Sequence, residues 1–279
     1  MGNYTIETQD IKRQLFSGYI KRYKDGRLFD VDSYIPLSVI WFYLESDLHS
    51  GYERDIYNRF KEKYILSENR LEGIKVTKKE VKELVENSNM HTKEEVLGLA
   101  DVYDYIANYS FDKLNNLNIY QLLRIHNILY SHTPFPEFSG QYRTSSARIA
   151  GSQIELCDAS MISIKMYELY KEVERILTIR NIEEYINSIV DLHCELIHIH
   201  PFRDGNGRST RAFMNLLLRY IGLPPIYVKL EEKEKYCTAI ENYILDNEKS
   251  HIRKFFMFKI ANAIIENDDE FYKQAIKIL

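Results

Sequence analysis

Apolar residues recur three and four positions apart over most of this chain, which is the spacing of amphipathic helices. Clear examples are the runs 122–129, 186–194 and 255–260. Strict alternation of apolar and polar residues is confined to short pieces near residues 146–156. The pattern therefore predicts an all-α protein with one small β-hairpin.

Capping signals indicate where several of these helices begin. Thr77 is followed three residues later by Glu80, and Thr92 by Glu95, so each pair matches a capping box ahead of an apolar run. Residues 30–33 offer cap side chains before another apolar run. Further helices are predicted over 119–130, 162–177, 182–199, and from the loop near residue 205 to Tyr220.

Composition narrows the class of protein. The 279 residues include 11 glycines and 6 prolines, a low content that favours long helices. A net charge of −4 gives no reason to expect nucleic acid or a membrane as a partner. The longest apolar stretch, 34–44, is too short to span a bilayer. We divide the chain into an N-terminal helical region, 1–90, and a second region, 91–279.

The cysteines and the N-terminus indicate a cellular context. Cys157, Cys194 and Cys237 form neither a CxxC pair nor an even framework, so the reduced cytoplasm is the simplest location. The first residues lack a basic segment followed by an apolar one, and no signal peptide is predicted.

Residues 200–211 combine a base, a carboxylate and the arginines Arg208 and Arg211 around a glycine turn. The turn Gly205-Asn206-Gly207 directs N–H groups toward the start of an apolar helix, which is a ready site for anions. Arg208 and Arg211 share a face of the first helical turn, and each can fork onto phosphate oxygens. Asp204 suits Mg²⁺ that phosphates already hold. His200 can accept a proton from a hydroxyl near neutral pH.

Simpler interpretations exist for parts of this stretch. An Asp-Gly-Asn-Gly run by itself is usually only a turn, and the stretch lacks the Gly-Lys-Ser/Thr ending of a P-loop. His193, His198 and His200 fall on different helical faces, and no cysteine or carboxylate completes a zinc set. We therefore expect His193 in the core or supporting the site from behind.

The stretch resembles the Fic family signature, His-x-Phe-x-Asp/Glu-Gly-Asn-Gly-Arg-x-x-Arg, at every fixed position. Residues 140–151 resemble the family's flap hairpin, and residues 224–236 resemble the segment after the signature helix. Together the similarity covers about residues 95–265, most of the chain. It implies a Fic helical bundle with a small β-hairpin flap, and a protein adenylyltransferase that uses ATP and Mg²⁺.

The resemblance assigns a role to each residue. His200 is the general base toward a Ser, Thr or Tyr hydroxyl, which attacks the α-phosphorus of ATP while pyrophosphate leaves. Asp204 binds Mg²⁺, and Phe202 pins the loop by burying its ring. Gly207 fits the nucleotide-transferring branch, since kinase-type relatives carry Lys there. The residues expected to bind ATP and its phosphates are Gly205, Asn206, Gly207, Arg208, Arg211 and Tyr236.

The flap implies a protein partner. Arg148, Ile149, Ala150 and Gly151 would receive a target segment as an added strand, which brings a side-chain hydroxyl near His200. Backbone pairing depends little on the side chains of the target, so the flap does not identify the target protein. We expect a protein with an exposed hydroxyl side chain, including this protein itself, and the sequence leaves a homodimer open.

Residues 67–73 resemble the family's inhibitory motif, Ser/Thr-x-x-x-Glu-Gly/Asn, with Glu72 as its glutamate. In regulated relatives this glutamate pairs with the second signature arginine, here Arg211, and blocks the seat of the γ-phosphate. The motif departs from the family at Glu68, which stands where Ser or Thr is expected. Because Glu68 adds a like charge at i−4, we expect a loosened clamp. A solvated Glu72 near a helix end is the simpler alternative.

Other functions fit parts of the pattern. Transfer of another nucleotide or phosphodiester group, or removal of AMP through Glu72, would use the same residues. A binding module that keeps the fold without activity belongs to another class, and the complete signature argues against it. A DNA-binding regulator lacks a basic recognition helix in this sequence.

Overall fold

The computed structural model describes residues 17, 19, 34–45, 53–87, 92–111 and 117–267. The helices within these ranges are α1 (Tyr34–Glu45), α2 (Glu53–Leu71), α3 (Lys78–Glu86), α4 (Glu94–Asn108), α5 (Tyr120–Leu129), α6 (Ile162–Ile176), α7 (Ile182–Ile199), α8 (Asn206–Tyr220), α9 (Lys233–Asp246) and α10 (Ser250–Asn267). The all-α prediction is confirmed, and the predicted bounds 182–199 are those of α7.

Helix α8 lies at the centre of the bundle. It packs against α4, α5 and α7, and nearly every residue from Asn206 to Leu218 is buried. A helix that is covered on all sides holds its first turn rigidly, because no face is free to move into solvent. The loop that precedes α8 is therefore carried on the best-packed element of the fold.

The N-terminal helices pack on the same core. α1 lies against α10, and α2 lies against α4. The Tyr19 hydroxyl donates to Asn262 Oδ1 at 2.6 Å, which joins the N-terminal region to α10. The C-terminal end of α2 reaches α8, so that residues of the predicted inhibitory segment face the signature loop.

One of the two predicted capping boxes is present. Thr77 Oγ1 accepts from the Glu80 N–H, and Glu80 returns a hydrogen bond to the Thr77 N–H, so α3 begins as predicted. The Thr92 box is wrong: Lys93 is the N-cap of α4 and makes no side-chain cap. The acidic side chains of Glu94 and Glu95 lie in the first turn, where the helix dipole favours them. The cap residues 30–33 lie outside the described residues.

The flap forms the predicted turn but not paired strands. The Ser152 N–H donates to Ile149 O at 3.2 Å, and Gly151 takes φ +77°, as a tight turn requires. No strand is present among the residues that the structure describes. The ends of the segment bind elsewhere: Arg143 N–H donates to Pro201 O, and Cys157 N–H to His198 O. An isolated two-stranded hairpin is marginal, and these bonds draw the backbone toward the end of α7.

Two findings bear on the context of the protein. Within the described ranges, none of the helices has the length and apolar character needed to cross a bilayer. Cys157, Cys194 and Cys237 are free thiols.

Candidate active site

His200 ends α7 in an uncommon backbone conformation. Its φ of 49° and ψ of 59° lie in the left-handed region, which few residues other than glycine adopt. Its N–H donates to Leu196 O at 3.0 Å and closes the last turn. The ring Nδ1 lies 3.3 Å from Ile197 O, which favours a proton on Nδ1. Nε2 then carries the lone pair that a general base needs.

The surroundings of His200 keep its ring neutral. Burial lowers the pKa of His200, and the nearby Arg143 charge lowers it further. The Ile197 carbonyl and the charges of Asp204 and Glu72 act in the opposite direction, but the pKa remains below its ordinary value. The imidazole is therefore in its basic form at neutral pH.

Arg143 holds the end of α7 in place. Its guanidinium donates to four backbone carbonyls, those of Ser145, Cys157, Ile199 and His200, and the bond to His200 O measures 2.7 Å. A cation at these carbonyls offsets the negative end of the helix dipole. The sequence placed Arg143 in the flap segment and gave it no role. In the structure it fixes the left-handed residue that carries the candidate base.

The signature loop is closed by its own side chains. Phe202 is fully buried, as predicted. Asn206 Nδ2 donates to Phe202 O and Asn206 Oδ1 accepts from Phe202 N–H, both at 2.8 Å. The prediction that Asn206 binds phosphate therefore does not hold for its side chain, because both polar atoms are used inside the loop. Gly205, with φ +71°, caps α8, and a Cβ there would lie 2.7 Å from the Tyr130 ring.

His126 and Tyr130, which the sequence analysis missed, support the loop from α5. The His126 ring stacks between Phe202, at a centroid distance of 3.8 Å, and Tyr130, at 4.7 Å. Its Nδ1 accepts from Gly140 N–H at 2.9 Å, so that Nε2–H is the donor to Asp204 O at 3.0 Å. Burial lowers the pKa of His126 to about 4, which keeps it neutral.

Asp204 projects from this support toward solvent. Its side chain is 78% exposed, and Oδ2 accepts from the Tyr130 hydroxyl at 2.6 Å. Burial by itself would raise the pKa of Asp204, but the hydrogen bonds from Tyr130 and Gly205 and the charge of Arg208 lower it overall. The carboxylate is ionised at neutral pH.

Arg208 lies beside Asp204 at the wall of a cavity. One terminal nitrogen of Arg208 is 3.7 Å from Asp204 Oδ2, and the guanidinium lies 6.0 Å from the Tyr130 ring centroid. The buried Nε of Arg208 has no hydrogen-bond partner within the described structure. Asp204, Arg208, Tyr130 and Glu72 line a cavity of about 330 Å³. The structure thus brings together the predicted metal ligand and the predicted phosphate ligand.

Arg211 is held by two carboxylates of α2. Its Nε donates to Glu68 Oε2 at 2.7 Å, and a terminal nitrogen donates to Glu72 Oε1 at 2.5 Å. The expected pair between Glu72 and Arg211 is present. Glu68 does more than add a like charge at i−4, because it is fully buried and bonds the same guanidinium. Two carboxylates on one cation attract it more strongly than they repel one another.

Gly207 leaves room for this arrangement. A Cβ at this position would lie 2.8 Å from the Arg211 Nη1 atom and 3.0 Å from Glu72 Oε1. A side chain there would force Arg211 or Glu72 to move.

Tyr236 lies behind Arg211 instead of in the open cavity. It is buried, and its hydroxyl is 2.8 Å from His193 Nε2. His193 is likewise buried, which confirms its predicted place in the core. Burial raises the pKa of Tyr236, and the Arg211 charge opposes this rise. In this arrangement Tyr236 contacts the buried side of the cluster and does not line the cavity beside Asp204.

The flap residues lie at the surface. Arg148, Ala150 and Gly151 are exposed, while Ile149 packs partly against the core. Ser152 Oγ donates to Glu241 of α9, which ties the end of the turn to the bundle. The exposed turn is the geometry that the docking prediction needs.

The supporting residues could be found only in part from the sequence. His126 and Tyr130 are four apart on one helical face, which marks them as neighbours. Their partners Phe202 and Asp204 come more than seventy residues later, and no local spacing encodes that contact. Glu68 was noticed as a departure from a motif, but its burial depended on how α2 meets α8.

The fold and the loop are similar to those of Fic domains. Residues 116–218 match the Fic/DOC family. A curated relative, the protein adenylyltransferase Fic of Culex quinquefasciatus, is 27% identical over 179 residues, which are 64% of this chain and 34% of that protein. A second, from Nematostella vectensis, is 27% identical over 182 residues, which are 40% of that protein. The match thus spans between a third and two fifths of the length of these relatives.

A solved structure agrees with the fold. Fic-1 from C. elegans superposes with a TM-score of 0.70 at 19% identity, over 87% of this chain and 72% of that one. At this identity the similarity speaks for the architecture alone.

Proposed function

We propose that this protein is a protein adenylyltransferase. It transfers AMP from ATP to a Ser, Thr or Tyr hydroxyl of a target protein, and to itself. The observation that carries the proposal is His200: a neutral imidazole, fixed in a left-handed conformation one loop before Asp204 and Arg208. The name of the curated relatives, protein adenylyltransferase Fic, supports the same activity.

The chemistry needs one proton transfer and one displacement. His200 Nε2 takes the proton of the target hydroxyl while the hydroxyl oxygen bonds to the α-phosphorus. The bond from that phosphorus to the bridging oxygen of pyrophosphate breaks, and pyrophosphate leaves with the electron pair. Positioning and charge neutralisation supply most of the acceleration in such transfers.

The phosphates would be held at the first turn of α8. The N–H groups there have no partner within the helix, and the helix dipole favours an anion. Arg208, which lines the cavity, adds a fixed positive charge. The turn Gly205-Asn206-Gly207 would contribute backbone N–H groups, and Tyr236 would support Arg211 from behind.

The residues fit a bound Mg²⁺. Asp204 is ionised and lines the cavity, while Tyr130 holds one of its oxygens. Mg²⁺ is commonly bound by a single protein carboxylate when phosphates and waters supply its remaining ligands. Such a cation would neutralise charge on the phosphates.

We also propose that residues 1–90 regulate residues 91–279. Glu72 bonds Arg211, and an arginine engaged in this way is withheld from a third phosphate. The flap residues Arg148, Ile149, Ala150 and Gly151 would dock the target segment. The free cysteines are compatible with the reducing cytoplasm. A homodimer is compatible with the same function.

A second candidate function is removal of AMP from a modified protein. Glu72 favours it: its pKa is lowered, its side chain is 34% exposed, and its charge acts on His200. Burial alone would raise that pKa, but Arg211 outweighs it. An ionised carboxylate near His200 could orient a water molecule.

Incubation with labelled nucleotides separates these candidates. The protein is mixed with Mg²⁺ and each labelled nucleoside triphosphate, and its mass is recorded. We expect a gain of one AMP from ATP that His200→Ala loses, since loss of a positioned base costs about 10²–10⁴-fold. Labelled AMP that is released from a pre-modified target, without any uptake from ATP, would favour removal. Equal uptake by parent and His200→Ala would sink the mechanism.

A further inference from the structure

Glu68 has a role that the family resemblance does not assign. The inhibitory pattern has Ser or Thr at this position and a single carboxylate, Glu72, on the arginine. Here Glu68 Oε2 accepts from Arg211 Nε at 2.7 Å while Glu72 accepts from the terminal nitrogen. The two contacts differ in burial, because the Glu68 side chain is 0% exposed and that of Glu72 is 34% exposed.

The buried contact cannot come from simple packing. Glu68 Oε1 has no hydrogen-bond partner within the described structure, and a buried carboxylate oxygen in that state is costly. Arg211 compensates this cost directly, since a buried ion is tolerated only opposite its partner. Glu68 therefore depends on Arg211 and holds it toward α2.

The contacts occupy one fork of Arg211. Nε and one terminal nitrogen, Nη2, are bound to two carboxylates of α2. Two adjacent nitrogens are what an arginine offers to a phosphate. Removal of Glu72 alone would leave Nε on Glu68, so that this fork stays half occupied and the guanidinium stays anchored to α2.

We propose that Glu68 is a second clamp on Arg211 and determines whether the site distinguishes a nucleoside triphosphate from a diphosphate. This inference rests on the proposed function, because it assigns Arg211 to the third phosphate. With both carboxylates in place the resting protein binds the two nucleotides alike. Arg211 is released only when neither glutamate of α2 bonds to it.

Calorimetric titration of the full chain with Mg²⁺-ATP and Mg²⁺-ADP tests the clamp without any transfer reaction. The measured quantity is the ratio of the two affinities. We expect a ratio near one for the parent and a shift below about threefold for Glu72→Gly. The double variant Glu68→Ser/Glu72→Gly should favour ATP by about tenfold or more, the worth of one charged hydrogen bond.

Three further variants secure the interpretation. Arg211→Ala added to the double variant should erase the gain. Glu62→Ser removes a carboxylate of the same helix that is not bonded to Arg211, and should leave the parent ratio unchanged. Glu68→Leu, which has no hydrogen-bond acceptor for Arg211, replaces Glu68→Ser if that variant does not fold.

The outcomes separate the clamp from the proposed function. If Glu72→Gly alone gives the full gain, or if the double variant gives none, Glu68 is not a clamp. A gain in ATP preference without AMP transfer supports the clamp and overturns the adenylyltransferase. His200-dependent transfer without any ATP preference does the reverse, and a double variant that binds neither nucleotide overturns both.

Discussion

At the scale of single residues, the site separates the candidate base from the groups that we propose to bind phosphate. His200 is held by carbonyl contacts and by Arg143, none of which involves the cavity beside Asp204. Asp204 and Arg208 line that cavity, and Tyr130 fixes the carboxylate. A change to the base should therefore alter the rate, whereas a change to the cavity should alter binding.

This separation predicts that Asp204→Ala and Arg208→Ala weaken Mg²⁺-ATP binding while His200→Ala does not. Each loses a charged contact to the metal or phosphates, and such a contact is worth about 1.5–3 kcal/mol. Calorimetric titration of the three variants measures this directly. His200→Ala serves as the matched control in the same loop. Parent-like affinity in both cavity variants would remove the phosphate assignment.

At the scale of elements, the beginning of α8 depends on two glycines with different constraints. Gly205 has φ +71° and faces the Tyr130 ring, whereas Gly151 in the flap has φ +77° and open space around it. Both positions carry the cost of a left-handed backbone, so a comparison isolates the contact with Tyr130.

We predict that Gly205→Ala lowers the free energy of unfolding more than Gly151→Ala does. The backbone cost of each is on the order of 1–2 kcal/mol, and overpacking against Tyr130 adds about 1–3 kcal/mol for Gly205→Ala. Urea unfolding of both variants and the parent gives the difference. Equal decreases in the free energy of unfolding would mean that the Tyr130 ring moves aside without cost and does not stabilise the turn.

The elements differ in how much of them the sequence predicts. The helices follow from local periodicity, and α7 has its predicted bounds because Asn181 caps its start and Glu183 and Glu184 fill its first turn. The flap was misread as a paired hairpin because its alternation is local, while its hydrogen bonds go to Pro201 and His198. A pattern within a segment does not say which distant backbone will bond it.

The site was predictable where the chemistry is contiguous and not where it crosses the fold. His200, Asp204 and Arg208 lie within nine residues of one another, so their types and spacing indicate their neighbourhood. Glu68 acts across 143 positions on Arg211, and its burial reverses the expected effect of a like charge. Whether the charge of Glu68 stabilises or destabilises the site depends on its contact with Arg211. The position of Glu68 on its own helix does not reveal that contact.

At the scale of the whole molecule, the core joins both ends of the chain and encloses neutral histidines. α1 and α10 pack together, and Tyr19 bonds Asn262. His126 and His193 are both 1% exposed. Burial lowers the pKa of His126 to about 4 and that of His193 to about 3, from an ordinary 6.5.

These two histidines predict a loss of stability in mild acid. Their folded pKa values lie below the unfolded value, so the unfolded chain binds more protons as the pH falls from 6.5 toward 4. The stability that the neutral histidines contribute is complete above pH 6.5 and is lost as the pH falls from 6.5 toward 4. Between about pH 7 and pH 5 each should cost about 2 kcal/mol of unfolding free energy. Glu68 acts oppositely, because burial raises its pKa and its protonation favours the folded state.

Urea unfolding at several pH values, with the parent and with His126→Asn and His193→Gln, resolves these contributions. Each histidine variant will be less stable at pH 7, but its free energy of unfolding should change less between pH 7 and pH 5 than that of the parent. The slope against pH is the measurement, because it reports the protons taken up on unfolding and not the packing lost by substitution. Parallel slopes for all three proteins would mean that His126 and His193 titrate normally in the folded state, and that the stacked arrangement beneath Asp204 does not require a neutral ring.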